Sequence, residues 1–217
     1  MNTPFSGWKE GLPYYGPLLA AGAILFLFVG WSTMGLAVSL FVLVCGLFTL
    51  FFFRDPVRAI TRVSGEIVAP ADGTIVGIED LETTPHYDGP CTRISIFLSV
   101  LNVHINRAPF DGQIADIRYQ PGRFLNAMKA ETTDLNESNA VRMTTSRGLV
   151  TVRQISGAIA RRIVCRRNVG DTLARGEKFG MIKFGSRTEL YLPPGTEVCV
   201  KLRDKVRGGS SVVARFP

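Results

Sequence analysis

A serine after a glycine, a histidine at the end of an apolar run and an aspartate in a turn are the residues of this sequence best suited to chemistry. The first stands in "KFGSRTELYLP", Lys183 to Pro193, where Gly185 offers an unhindered carbonyl and Ser186 a hydroxyl that a neighbouring base could activate. Gly-Ser is also ordinary turn chemistry, and a second pair, Gly209-Ser210, lies in "RGGSSVVARFP". Behind its two glycines the second pair is followed only by Ser210 to Pro217, too short a piece to be held firmly in a β core. The first is followed by Ser186 to Pro217, anchored by the strand-like runs within it.

His104, in "FLSVLNVHINRAPFDG", follows an apolar run, so it stands at a strand end, where a rigid scaffold commonly sets catalytic groups. A buried structural histidine is the other reading. Asp72, in "APADGTI", either shapes an Asp-Gly turn or accepts the imidazole N–H of His104, fixing the tautomer and stabilising the cation. His86, in "ETTPHYDGP", is expected in a solvent-exposed loop. Cys45, Cys91, Cys165 and Cys199 are widely spaced and form no Cys-x-x-Cys pair, so no metal site is expected and a reducing compartment suits them.

The elements that must position these groups fall into two parts. From Leu18 to Phe53 the chain runs 36 residues without a charge. One straight helix of that length would reach roughly 54 Å, well beyond a hydrocarbon core of about 30 Å. A helical hairpin turning near Gly30 to Gly35 fits better, with a first arm of about 13 apolar residues that leaves a re-entrant hairpin open. The N-terminal anchor is therefore read as residues 1–53, with Trp8, Tyr14 and Tyr15 as an aromatic belt.

Residues 54–217 read as a second, mainly β domain. "GEIVAPADGTIVGI", "RISIFLSV", "GQIADIRY", "GLVTVRQI", "EKFGMIKF", "TELYLP" and "TEVCVKL" are short strand-like runs broken by Gly, Pro and Asp, which predicts a compact sandwich or barrel. In "RISIFLSV", Ile94, Ile96 and Leu98 share one face. One helix is expected within "GRFLNAMKAE", Gly122 to Glu131. The overall class is mainly β (α+β) with an N-terminal hydrophobic helical hairpin.

Lys9 and Glu10 cancel, so the formal +7 of the chain belongs to residues 54–217. Arg54, Arg58 and Arg62 follow the apolar run at once, which places the β domain on the cytoplasmic side of the cell (inner) membrane. "ARRIVCRR", Ala160 to Arg167, concentrates four more cations, read as a solvated strand or as attraction to phospholipid headgroups. No interleaved aromatic platform accompanies it, which speaks against nucleic acid.

Taken in order, "FFRDP", "VAPADGTI", "ISIFLSVLNVHINRAPFDG", "YQPGRFLNA", "ISGAIARRIVC" and "GDTLARGEKFGMIKFGSRTELYLP" resemble the phosphatidylserine decarboxylase proenzymes in their short bacterial and archaeal form. The resemblance runs from about Phe52 to the C-terminus. It implies a self-processing carboxy-lyase cut between Gly185 and Ser186 into a β chain, residues 1–185, and an α chain, residues 186–217. The prosthetic group it implies is a pyruvoyl made from Ser186, which takes the substrate amine as a Schiff base. His104 is implied as the base, oriented by Asp72.

The implied substrate is phosphatidylserine, the product phosphatidylethanolamine, and the partners are membrane lipid and the two chains of one precursor, with a homo-oligomer left open. Arg187, Arg161 and Arg162 are candidates for substrate contact. Longer bacterial members carry a second histidine three positions after the one matching His104; this chain has Arg107 there, so the base is assigned to His104 alone. The reading from a different class is a membrane-tethered, lipoyl-like binding or assembly module without catalysis.

Overall fold

The structure is a computed structural model that describes residues 5–125, 133–157, 162–183 and 186–217. The chain divides into two compact units, Ser6–Pro56 and one that contains Val57–Pro217.

In the first unit, α1 (Gly7–Val29) and α2 (Thr33–Phe52) form a helical hairpin. The turn falls at Gly30–Ser32, inside the stretch anticipated, and Ser32 caps α2 by accepting from the Gly35 N–H at 3.0 Å. The first arm is longer than the apolar run suggested. α1 starts eleven residues before Leu18 and takes in Lys9, Glu10, Pro13 and Pro17, because a helix can extend past the apolar segment that a membrane requires. Its first amide, Gly7 N–H, donates to Asp55 Oδ2 at 3.2 Å. Gly22 lies against Leu43 and Gly46 against Leu19 so closely that a Cβ on either would come within 3.0 Å of the leucine side chain, which lets the two backbones approach. Both helices are long and apolar enough to cross a membrane, and outward-facing Leu27, Trp31 and Phe41 are strongly exposed.

In the second unit the described strands are β1 (Glu66–Val68), β2 (Gly73–Leu81), β3 (Cys91–Leu98), β4 (Ile105–Arg107), β5 (Gly112–Gln120), β6 (Ser138–Thr145), β7 (Gly148–Ser156), β8 (Arg162–Cys165), β9 (Thr172–Leu173), β10 (Lys178–Lys183), β11 (Ser186–Leu192), β12 (Glu197–Val198), β13 (Lys205–Val206) and β14 (Val212–Arg215). They run from two residues in β9, β12 and β13 to nine in β2, β5 and β7. Eight make one curled, half-barrel sheet in the order β13-β2-β3-β11-β7-β6-β5-β9, all pairs antiparallel. Two three-stranded sheets accompany it, β1-β14-β12 and β4-β10-β8. Inward-facing Ile75, Ile94, Ile96, Val141, Val152, Leu190 and Leu192 join Phe179, Val213 and Phe216 in one apolar core. This is the mainly β, barrel-like class expected from the sequence.

Three local expectations differ. Residues 122–125 are not helical: Arg123 bridges Asn136 and the Leu125 N–H donates to Asn136 Oδ1 at 2.8 Å, while the rest of the anticipated helix, 126–131, lies outside the described residues. The C-terminal tail is held firmly, because β14 lies between β1 and β12 and the Gly209 N–H donates to Ala69 O at 2.8 Å. His86 is half-buried beside the Tyr191 ring, with centroids 5.8 Å apart.

Candidate active site

β11 lies inside the large sheet, and its first residue, Ser186, pairs with Leu98 of β3 on one side and Ser156 of β7 on the other. Side chains alternate along a strand, so Ser186 and Thr188 share the core-facing side with Leu190 and Leu192. Ser186 is wholly buried, and its Oγ has no hydrogen-bond partner among the described residues. The hydroxyl of Ser156, directly across the ladder, is in the same condition. Leaving a hydroxyl buried and unpaired costs about 1–3 kcal/mol, so such groups are candidates for work other than stability.

His104 stands immediately before β4 and is fully buried. Its Nδ1 lies 3.0 Å from Asn102 O. A carbonyl only accepts, so Nδ1 carries the proton and Nε2 is the basic nitrogen of the neutral ring. The Asn102 carbonyl is itself set by a tight turn: the Ser99 N–H and hydroxyl donate to Asn102 Oδ1 at 2.9 and 2.8 Å, and the Asn102 N–H donates to Ser99 O at 2.9 Å. The backbone carbonyl of His104 accepts from the Ile182 N–H at 3.1 Å.

Two residues on, Asn106 Nδ2 donates to Thr188 Oγ1 at 3.0 Å, which ties the histidine segment to the face of β11 that carries Ser186. Asn106 Oδ1 accepts from Gln154 Nε2 at 2.9 Å, and Gln154 Oε1 accepts from Asn139 Nδ2 at 3.0 Å. A buried chain of neutral amides thus runs from β6 through β7 and β4 to Thr188.

Asp72 does not hydrogen-bond to the imidazole as the sequence led one to expect. Its Oδ1 accepts from the Gly208 N–H at 2.8 Å and its Oδ2 from Arg58 Nη2 at 2.7 Å, while the imidazole N–H finds the nearer backbone carbonyl of Asn102. Arg187 points away from Ser186, to the opposite side of the sheet: it is 3% exposed, its Nη2 donates to Ser95 Oγ at 2.7 Å, and its Nε lies 3.1 Å from Glu189 Oε1. That places its guanidinium in a buried ion pair rather than at a substrate surface. Arg162 is exposed at the start of β8, opposite Lys183 of β10; Arg161 and Gly185 lie outside the described residues. Arg107 is a buried cation whose Nη1 donates to Gly176 O at 2.9 Å.

The sequence profile described as phosphatidylserine decarboxylase matches residues 45–214 of this chain. The chain belongs to the phosphatidylserine decarboxylase family. The phosphatidylserine decarboxylase proenzyme of Nitrosomonas eutropha is 43% identical over 96% of this chain and 94% of its own, and that of Nitrosomonas europaea is 42% identical over the whole of both. The proenzyme of Rhodopirellula baltica is 43% identical over 99% of this chain and 92% of its own.

For a member of the phosphatidylserine decarboxylase family, a group of carboxy-lyases, two parts of the site escaped sequence reasoning. Ser156 was visible only as part of "ISGAIARRIVC"; its place across from Ser186 is a property of the β7–β11 register. Arg58 read as a charge flanking the apolar run, yet it is the partner of Asp72.

Proposed function

We propose that the chain cuts itself between Gly185 and Ser186 and then decarboxylates phosphatidylserine to phosphatidylethanolamine and CO₂. The observation that carries this reading is the buried, unpartnered Ser186 hydroxyl at the head of a strand paired on both sides. In this reading Ser186 Oγ gives its proton to a base and attacks the Gly185 carbonyl carbon, which converts the peptide bond to an ester. Removal of the Ser186 α-proton expels the Gly185 carboxylate and breaks the chain; the dehydroalanine left at residue 186 takes up water and releases ammonia, leaving a ketone. His104 is the base, with Nδ1 held by Asn102 and Nε2 basic. Asp72, fixed by Arg58 and the Gly208 N–H, supports the imidazolium by its charge rather than by a hydrogen bond.

The residues present suit a pyruvoyl group at this position. Ser186 needs no partner broken to react, and after the cut β11 remains between β3 and β7 while β14 remains between β1 and β12. That ketone supplies an electrophile for the substrate amine and a sink for the electrons that CO₂ leaves behind. The hairpin of α1 and α2 anchors the chain in the cell (inner) membrane, with Arg54, Arg58 and Arg62 favouring the cytoplasmic face. Of the arginines considered for substrate contact, Arg161 and Arg162 are kept for the lipid surface, and Arg187 is given a structural role.

Mass spectrometry of the purified protein tests the proposal. The expected result is two chains, Met1–Gly185 and a carbonyl-terminated 186–217, with a single uncut chain in Ser186→Ala and His104→Ala. An uncut wild-type chain would sink it in favour of a binding module.

A further inference from the structure

A cleft of about 900 Å³ opens where β3 ends, walled by Asp72–Thr74, by Phe97, Ser99, Leu101 and Asn102, and by Lys205, Arg207, Ser210 and Ser211. Its charge is unbalanced. Lys205 and Arg207 are exposed, and neither forms an ion pair with any carboxylate among the described residues. Asp72 is the one acid of the lining, and Arg58 at 2.7 Å and the Gly208 N–H at 2.8 Å already engage its two oxygens. Two hydroxyls stand beside the cations. Ser211 Oγ accepts from the Arg207 N–H at 2.9 Å, which leaves its own proton to donate, and the Ser210 hydroxyl has no protein partner among the described residues.

The cleft also borders the candidate active site. Asn102, whose carbonyl holds His104 Nδ1, forms part of its wall. Across the sheet Lys205 pairs with Thr74, Thr74 with Phe97, and Phe97 with Arg187, so Lys205 stands on the sheet face that Arg187 takes, and the cleft meets residue 186 at the end of β3, where Leu98 pairs with Ser186. Three strand spacings amount to about 14 Å between the backbones of β13 and β11. The volume lies within the usual range of roughly 300–1,000 Å³ for a small-molecule site.

We propose that this cleft binds the phosphodiester of the lipid headgroup. Lys205 and Arg207 pair with the phosphate oxygens, Ser210 and Ser211 hydrogen-bond to them, and Leu101, 60% exposed, offers an apolar rim to the glycerol ester. The phosphate is thereby anchored at one end of the site so that the serine amine reaches toward residue 186. The identity of the lipid rests on the decarboxylase reading above, whereas the anion site stands on the cleft itself.

The test uses full-length protein in detergent. Glycerophosphoserine is titrated by calorimetry into Ser186→Ala protein, which reads binding without self-cleavage or turnover, and into the same protein carrying Lys205→Gln and Arg207→Gln. Affinity is expected to fall at least about tenfold for each cation removed, with Lys201→Gln, outside the cleft, unchanged. Unchanged affinity in the double variant overturns the proposal. Inorganic phosphate serves as the second probe: binding as tight as that of glycerophosphoserine would make this a free-phosphate site and overturn the lipid assignment. In the Ser186-containing protein, the double variant is expected to cut itself as wild type does and to show its loss on phosphatidylserine micelles in KM rather than kcat; an unchanged KM overturns the proposal. If wild type neither cuts nor decarboxylates while glycerophosphoserine binding still depends on Lys205 and Arg207, the anion site stands and the decarboxylase reading falls.

Discussion

Along β11, Ser186, Thr188, Leu190 and Leu192 face the apolar core while Arg187, Glu189 and Tyr191 face a layer of charge, yet all seven are buried. On the charged side Glu189 is the hub. Its Oε1 lies 3.1 Å from Arg187 Nε and 3.9 Å from Arg93 Nη1; its Oε2 lies 3.4 Å from Arg153 Nη1 and accepts the Tyr191 hydroxyl at 2.6 Å. The arginines have further partners: Arg93 holds Glu79 at 2.7 Å, and Arg153 reaches Asp134 at 3.1 Å and Thr133 O at 3.2 Å. Burial pulls the Arg187 pKa down, and burial followed by the Glu189 charge pushes the Tyr191 phenol up. On the core side a neutral amide chain ends at Thr188, and two residues away the Ser186 hydroxyl has no partner among the described residues. The charged face clamps the strand through groups that hold one another; the core face leaves one group uncommitted.

Substitutions on the two faces should therefore separate stability from chemistry. Ser186→Ala is expected to abolish self-cleavage completely while leaving stability within about 1 kcal/mol of wild type, because it removes an unpaired polar atom rather than a bond. Urea unfolding of the uncut protein reads the second half, and a larger loss would show that the hydroxyl has a partner. Glu189→Gln should do the reverse. It leaves Arg93, Arg153 and Arg187 without their shared carboxylate and should destabilise by about 3–5 kcal/mol, while the molecules that still fold cut at residue 186. A Glu189→Gln protein as stable as wild type would mean that the charged face clamps nothing. Thr188→Val, on the core face, takes the acceptor from Asn106 Nδ2 and should cost about 1–3 kcal/mol, measured the same way.

The same contrast explains what could be read without coordinates. Alternation in "RISIFLSV" identifies Ile94, Ile96 and Leu98 as one buried face of β3, and they are. The complementary face, with Arg93 and Ser95, looks like any solvent-facing side of a strand, since Arg and Glu cost too much to bury unless partnered, and the partners come from distant strands. Ser186 and His104 could be singled out by residue type and setting. Ser156 and Asn102 could not, because one acts through a strand register and the other through a backbone carbonyl that every residue possesses. The firm hold on the tail after Gly208-Gly209 is hidden from the sequence for a related reason: β14 is short, but it pairs with β1, which lies far away in sequence.

His86 gives the mildest test of the charged face, because it lies against Tyr191 at the edge of that layer. Burial, reinforced by the Arg153 charge, lowers its pKa from 6.5 to about 4. The unfolded chain therefore binds a proton on His86 before the folded one does, so stability contributed by the neutral ring is complete above pH 6.5 and is lost as pH falls from 6.5 toward 4. Partial exposure screens the effect, which leaves a difference on the order of 1 kcal/mol between pH 7 and pH 5. Carboxylates titrate over part of the same range, so the quantity to measure is the pH dependence of wild type minus that of His86→Gln, by urea midpoint. The difference should show wild type losing more stability than the variant on acidification. Parallel curves would mean that protonated His86 is tolerated beside Tyr191, and that the cationic layer under β11 does not extend to the loop that covers it.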